Sequence, residues 1–266
     1  MILATLATAL SLLAPAPTVV AAGDIASCRS SGDEATAKLV AKIPGTVAVL
    51  GDIVYERGTV EEYRDCYSWA PFRKRTRPAL GNHEYLTPGA APSVAYFGIP
   101  SRGYYAYRLG TWLVVVLNSN CRPAGGCEDG SPQQRWLTNV LARNPVRCTL
   151  AYSHHPRWSS GLHGSDTTMA ALWRTLARAK ADVLLAGHDH HYERFAPFAG
   201  IRSFVVGTGG RSNYPVLRPL SRPRSVAVAD DVYGVLRLTL RPGAYDWRFV
   251  GVPGTTFRDA GTGRCG

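Results

Sequence analysis

The sequence predicts an α/β fold in one domain, and three observations support this. Short β-branched runs alternate with amphipathic stretches along most of the chain, which is the pattern of layered strands and helices. The 266 residues are enough to bury a full core and lie within the range of a single domain. The last part differs, because residues 233–240 and 245–252 alternate in polarity across Arg241-Pro242-Gly243-Ala244 and predict an antiparallel hairpin.

The predicted strands are six short runs rich in β-branched residues, at 18–23, 47–50, 112–117, 148–153, 183–186 and 204–206. The predicted helices are amphipathic stretches between these runs, at 33–43, 60–69, 132–143 and 167–179. Ser131 and Pro132 are suited to the N-cap and first position of the third helix.

The chain begins with an apolar segment that predicts a signal peptide over residues 1–16, which leaves 17–266 as the catalytic domain. Residues 2–14 carry no charge, and Ala14-Pro15-Ala16 is a small-residue cleavage site. The segment departs from the usual signal in having no Lys or Arg before the apolar run. A membrane span is disfavoured because Pro15 and Pro17 interrupt the run before the roughly 20 residues that a span needs. We therefore expect a protein that is secreted or held at the cell surface.

The six cysteines predict three disulfides, because their number is even, an export signal precedes them and none forms a CxxC pair suited to zinc. Six cysteines allow 15 pairings. Cys121 and Cys127 bracket a short glycine-rich loop, so we expect them to pair with each other. The alternative is a set of free buried thiols.

The chain is strongly basic, with 30 Lys and Arg against 19 Asp and Glu and a formal charge of +11. Only four of the 30 are Lys. Such a protein favours anionic partners, which include phosphate esters, cell-wall polymers and nucleic acid. Nucleic acid is disfavoured because the basic residues do not form a groove pattern with interleaved aromatic residues.

The seven histidines fall at only four places in the chain. Each place follows a strand-like run or lies in a glycine-bounded loop, where ligand sites of layered α/β proteins gather. These places are His83, His154-His155, His163 and His188-His190-His191.

The residue types near these histidines indicate a metal site. Imidazole, carboxylate and carboxamide groups suit borderline metals such as Zn, Fe and Mn. There are more such groups than one tetrahedral ion needs, which points to two ions that share a carboxylate. That arrangement can clamp the attacking and leaving oxygens of a phosphoryl group.

The order of the motifs resembles the metallophosphoesterases, and within them the purple acid phosphatase branch. Five motifs lie between Gly23 and Arg194: Gly-Asp, Gly-Asp-x-x-Tyr, Gly-Asn-His-Glu, His-x-Pro and Gly-His-x-His-x-Tyr-Glu-Arg. The resemblance covers nearly the whole chain. It implies a sandwich of two mixed β-sheets flanked by helices, with metals at the loop-rich edge.

The resemblance also implies the ligands of two ions, an iron paired with iron, zinc or manganese. The first ion would be bound by Asp24, Asp52, Tyr55 and His190. The second would be bound by Asp52, Asn82, His154 and His188, with Asp52 as the bridge. The ligand histidine of the family stands two residues before the proline, which selects His154 over His155. The family's first motif usually has Gly where Ala26 stands here.

His83 and His163 resemble the outer-sphere histidines that hold the phosphate and manage protons. The implied reaction is direct hydrolysis of a small phosphate monoester by a metal-bound hydroxide, with no phosphoenzyme. Two alternatives stay open: a phosphodiesterase or nucleotide hydrolase on the same site, and a non-catalytic secreted binding protein. At single positions, Asp24 could be a cap and Tyr55 a packed aromatic residue, and residues 192–194 are expected to brace the metal loop. The oligomeric state is left open.

Overall fold

The computed structural model describes residues 15–266, so all but the last two residues of the predicted signal segment 1–16 lie outside the described part. The described strands are β1 Thr18–Ala22, β2 Ala26–Ser27, β3 Thr46–Leu50, β4 Val54–Tyr55, β5 Thr76–Ala79, β6 Tyr105–Leu109, β7 Trp112–Val116, β8 Thr149–Tyr152, β9 Val183–Ala186, β10 Tyr192–Phe195, β11 Arg202–Val206, β12 Ser225–Ala229, β13 Gly234–Arg241, β14 Ala244–Gly251 and β15 Ala260–Arg264. The described α-helices are α1 Gly32–Lys42, α2 Val60–Cys66, α3 Ala91–Phe97, α4 Pro132–Arg143 and α5 Ala170–Arg178. Short 3₁₀ helices cover Ala70–Arg75, Glu84–Leu86, Pro88–Ala90 and Thr167–Met169.

Two mixed sheets form the predicted sandwich. The six-stranded sheet has the order β15-β14-β13-β1-β3-β5, and the seven-stranded sheet has the order β12-β10-β11-β9-β8-β7-β6. Strands β1, β3 and β5 run parallel, as do β7, β8, β9 and β11, and the remaining strands of the two sheets join them by antiparallel pairing. The predicted fold class is therefore confirmed.

The main hydrophobic core lies between the two sheets, and a second core lies under α4 and α5. Alternate residues of β7 divide between them: Val114 and Val116 belong to the main core, and Leu113 and Val115 to the second. This alternation is expected for a strand covered on both faces. Ser131 caps α4 by accepting from the backbone N–H of Gln134, as predicted.

The six predicted strands and the C-terminal hairpin are confirmed, and so are the four helices. The second helix is shorter than predicted, because it ends at Cys66 and a 3₁₀ helix with a proline near its start follows. Strands β2, β4, β5, β6, β10, β12 and β15 were not predicted. Strand β15, with the sequence AGTGR, has two glycines and no apolar alternation, so its existence depends on pairing with β14.

Three disulfides join Cys28 to Cys66, Cys121 to Cys127 and Cys148 to Cys265. The predicted Cys121–Cys127 pair is confirmed, and no described cysteine is free. Cys148 precedes β8 of the seven-stranded sheet, and Cys265 follows β15 of the six-stranded sheet, so this bond links the two sheets. Among residues 15–266, no helix has both the length and the apolar character that crossing a membrane requires.

Candidate metal centre

The predicted site residues lie on loops that follow strands of both sheets. Asp24 and Asp52 follow β1 and β3, and His154 and His188 follow β8 and β9. Asp24, Asp52 and His188 all have positive φ, at 60°, 47° and 71°. Tight turns at the strand ends thus direct side chains from distant parts of the sequence toward one place.

Glycines let these turns pack closely. Gly51 has φ +84°, and a Cβ atom there would lie 2.6 Å from Nδ1 of His154. A Cβ on Gly81 would clash with Oδ1 of Asp52. Glycine is therefore required at both positions by the closeness of neighbouring groups.

The four predicted ligands of the first ion meet around the hydroxyl of Tyr55. The hydroxyl of Tyr55 donates to Oδ1 of Asp24 at 3.0 Å or to Oδ2 of Asp52 at 2.9 Å. Nε2 of His190 lies 3.2 Å from the same hydroxyl and 3.3 Å from Oδ1 of Asp24. Tyr55 thus faces the carboxylates, which the alternative of a merely packed aromatic residue does not require.

The predicted ligands of the second ion also meet, around Nε2 of His154. This atom lies 3.0 Å from Oδ1 of Asn82, 3.2 Å from Nδ1 of His188 and 3.4 Å from Oδ2 of Asp52. Asp52 therefore contacts members of both groups, as a bridging residue must. Ligand atoms of His154 and His188 also approach His155, which sequence reasoning did not select.

The electrostatics of the cluster fit bound cations. Asp24 and Asp52 are buried, and among the described residues their only basic neighbours within ion-pair distance are histidines. Burial alone would raise the pKa of Asp52, but the charges of His154 and His83 hold it well below its usual range. Burial opposes the charge of His154, yet the Asp52 carboxylate raises its pKa to about 9. Burial and the charge of His154 lower the pKa of His188, which favours a neutral ligand.

A second set of side chains orients the first, and sequence reasoning did not identify most of its members. Glu84 is fully buried and accepts the backbone N–H groups of Gly81, Asp52 and Ile53 at 2.7–3.0 Å. The backbone oxygen of Leu50 lies 2.8 Å from Nδ1 of His154, which directs Nε2 of that ring into the site. In the sequence, the motif Gly-Asn-His-Glu was the pattern that could have indicated a role for Glu84.

The predicted outer histidines lie at the rim of the cluster. His83 donates its backbone N–H to Oδ1 of Asp52 at 3.0 Å, and its ring lies 4.3 Å from the ring of Tyr55. The ring of His163 lies 4.4 Å from that of His188. Buried Asp189 holds the loop of His163 by accepting its backbone N–H at 2.8 Å. An open cavity beside the cluster is lined by His155, His163, His188 and residues 164–167.

Tyr192, Glu193 and Arg194 contact protein groups behind the cluster. Tyr192 and Arg194 both bind Asp259, at 2.6 Å and 2.8 Å, and Glu193 accepts from the backbone and hydroxyl of Ser160. These contacts agree with the predicted bracing role. Through Asp259, they tie strand β10, which follows the loop of His188 and His190, to the residue that precedes β15 of the six-stranded sheet.

Two side chains at the mouth of the site were missed by sequence reasoning. The ring of Tyr214 stacks on that of His190, with centroids 4.0 Å apart and planes 7° apart. The guanidinium of Arg211 lies 5.0 Å from the ring of Tyr55 and pairs with Glu56 at 2.8 Å. The glycine-rich segment 207–210 after β11 was the only sequence signal for this wall.

Comparison with known proteins identifies a family model that matches residues 17–192, described as calcineurin-like phosphoesterase. Two uncharacterized proteins of Mycobacterium tuberculosis, from strains CDC 1551 and H37Rv, are each 27% identical over 200 residues. The match covers 62% of this chain and 37% of each relative, so the chain spans well under half their length.

Several solved structures share the fold. Purple acid phosphatase PPD1 from yellow lupin seeds has a TM-score of 0.75 at 17% identity, covering 92% of this chain and 53% of that one. GAP50, described as the anchor in the inner membrane complex of Plasmodium, has a TM-score of 0.76 at 12% identity, covering 95% and 90%. A dimetal phosphatase from Danio rerio has a TM-score of 0.61 at 13% identity, covering 95% and 100%. At these identities the likeness shows the fold.

Proposed function

Because the chain belongs to the calcineurin-like phosphoesterase family, we propose that it is a phosphoric ester hydrolase that cleaves small phosphate monoesters at a centre of two cations. One observation carries this proposal: seven side chains of the predicted ligand set converge, and Asp52 contacts members of both halves. Among the described residues, the buried carboxylates of Asp24 and Asp52 have histidines but no Lys or Arg within ion-pair distance, which supports cation binding, since buried charge needs compensation.

When bound, the cations would neutralise phosphate charge and lower the pKa of a coordinated water. Asp24, Tyr55 and His190 would hold one cation, Asn82, His154 and His188 the other, with Asp52 shared. Glu84 keeps the Asp52 turn in place through its three N–H contacts.

His83 and His163 would bind the phosphate and manage protons at the rim. Their rings lie beside members of the cluster, His83 beside Tyr55 and His163 beside His188, which supports these roles. His163 would be the group that donates a proton to the leaving oxygen, because its loop borders the open cavity. The backbone hydrogen bond from His163 to Asp189 would orient it.

We assign the chain to the purple acid phosphatase-like branch on the basis of Tyr55, and propose iron paired with iron, zinc or manganese. The contacts of its hydroxyl with both carboxylates support a ligand role. We further propose that the protein is secreted after removal of residues 1–16. The three disulfides are compatible with an oxidising compartment.

The test compares turnover of p-nitrophenyl phosphate and bis-p-nitrophenyl phosphate by metal-replete protein, with metal content measured. A preference for the first supports the monoesterase, a preference for the second supports a diesterase, and no turnover of either supports a binding protein.

Two variants link turnover to the site. Asp52→Asn should lose both metals and reduce turnover by more than about 100-fold, since even outer partners of metal ligands typically contribute 10–100-fold. Asp182→Asn is the matched control, because Asp182 is equally buried but binds backbone N–H groups outside the site. Two tightly bound metals and near-normal turnover in Asp52→Asn would contradict the assignment.

A further inference from the structure

Four arginines share the outward face of the last three strands of the six-stranded sheet. On β13 and β14 the inward positions, such as Leu238 and Trp247, are buried in the core, while alternate positions are exposed. We call the exposed side the arginine face. Its arginines are Arg237, Arg241, Arg248 and Arg264.

The register of the strands brings like charges together on the arginine face. Arg237 lies directly opposite Arg248 in the antiparallel pair of β13 and β14. Directly opposed side chains have Cβ atoms about 5 Å apart, so like charges there destabilise the sheet. Asp246 is the one acidic residue at the outward positions of β13–β15, and its carboxylate already pairs with Arg241 at 2.7 Å. In the described chain Arg237, Arg248 and Arg264 form no ion pair.

The shape of the arginine face leaves the guanidinium groups accessible. Two adjoining shallow depressions lie along it, and they share Arg248 and Ala260. Arg237 and Arg241 are four residues apart on one strand, which places them about 13 Å apart. Apart from Asp246, the outward side chains between these arginines are small or carry a hydroxyl group: Thr239, Ala244, Ala260 and Thr262.

We propose that the arginine face binds a linear, water-soluble polyanion. Guanidinium groups pair with oxyanions through two parallel hydrogen bonds, so repeated oxyanions along one chain can engage several arginines. Binding would also remove the repulsion between Arg237 and Arg248. This surface is separate from the metal centre and does not depend on the proposed hydrolysis.

Nucleic acid and membranes fit this face less well. Tyr245 and Trp247, the aromatic residues of β14 nearest to it, are buried on the opposite side of the sheet, so they offer no platform for stacking bases. The exposed large hydrophobic side chains that could enter a lipid surface lie outside β13–β15. Among residues 15–266 they are Val60, Leu86, Leu162 and Leu217.

The test measures binding of linear dextran sulfate, which carries no phosphoester, at several salt concentrations. The double variant R237Q/R248Q should bind at least tenfold more weakly. The plot of the logarithm of the binding constant against the logarithm of the salt concentration should also become less steep by roughly 1.5, since each lost arginine–anion contact removes about 0.7–0.9 from the slope. A melting temperature equal to or above that of the wild type would show that the variant is folded, since the substitutions also remove the repulsion between Arg237 and Arg248.

The control is R108Q/R178Q, which makes the same change in net charge on exposed residues of β6 and α5, in the other layer. It should bind within twofold of the wild type. Equal weakening by both double variants would overturn the proposal in favour of general charge attraction, and so would absence of binding near physiological salt. Tighter binding of single-stranded DNA or of anionic vesicles than of dextran sulfate would overturn the choice of partner. Because no turnover is measured, failure of this proposal leaves the proposed function untouched.

Discussion

Gly51→Ala should disturb the proposed metal centre without replacing any proposed ligand. The new Cβ would lie 2.6–2.7 Å from three atoms of His154, and φ is +84° at this position. A left-handed conformation costs a non-glycine residue about 1–2 kcal/mol. Overpacking of a close contact adds about 1–3 kcal/mol. The free energy of unfolding should therefore fall by about 2–5 kcal/mol, measured by chemical denaturation of metal-free protein.

Gly130→Ala separates the two contributions. Gly130 has nearly the same φ, +81°, but a Cβ there meets nothing within 4 Å. It should show only the conformational cost of about 1–2 kcal/mol, with normal metal content and turnover. In Gly51→Ala the imidazole of His154 must move, and a displacement of about 1 Å can lower turnover about 100-fold. If the two alanine variants match in stability, metal content and turnover, the close approach to His154 has no role.

Three further predictions concern single side chains. His154→Ala should abolish most turnover and His155→Ala should retain much more, because His154 contacts Asp52 and Asn82 whereas His155 binds Ser119; the reverse order in a p-nitrophenyl phosphate assay would move the ligand by one residue. Iron-loaded protein should be coloured, and Tyr55→Phe should remove this colour. Turnover should fall by a smaller fraction than the colour does. A colourless iron-loaded wild type would remove Tyr55 from the ligands. Burial raises the pKa of Asp33 to about 6 from 3.8, so its ionised form opposes folding above pH 6 and the penalty is absent below pH 3.8. Asp33→Asn should therefore raise the melting temperature at pH 8 and have little effect at pH 4, and an equal effect at both values would contradict this.

Much of the site could be predicted from the sequence because its residues follow strands with clear apolar runs. Asp52 and His188 stand at the ends of such runs, and the glycines beside them mark the turns. Arg211 and Tyr214 could not be predicted in this way, since their contacts depend on how a long loop returns over Tyr55 and His190. No local pattern encodes that path.

Strand β15, at one edge of the six-stranded sheet, also could not be predicted from its own sequence. Strand β15 has no propensity of its own to be extended and is held by β14 and by the disulfide at Cys265. Tertiary pairing decides its conformation. The register that opposes Arg237 to Arg248 likewise depends on the hairpin, which was predicted, but its surface charge pattern became visible only once the strands were aligned.

Each end of strand β8 leads to a residue that links the two sheets, and the two links differ in kind. At its start, Cys148 is bonded to Cys265 of the other sheet, and beyond its end His154 meets Asp52, also from the other sheet. One end of the sandwich is thus closed by a covalent bond, and the other would be closed by cations. Reduction of the Cys148–Cys265 bond and removal of metal should accordingly act on opposite ends of the molecule. Withdrawal of metal would loosen the end where substrate enters, while the disulfide keeps the two layers in register for the ions to return.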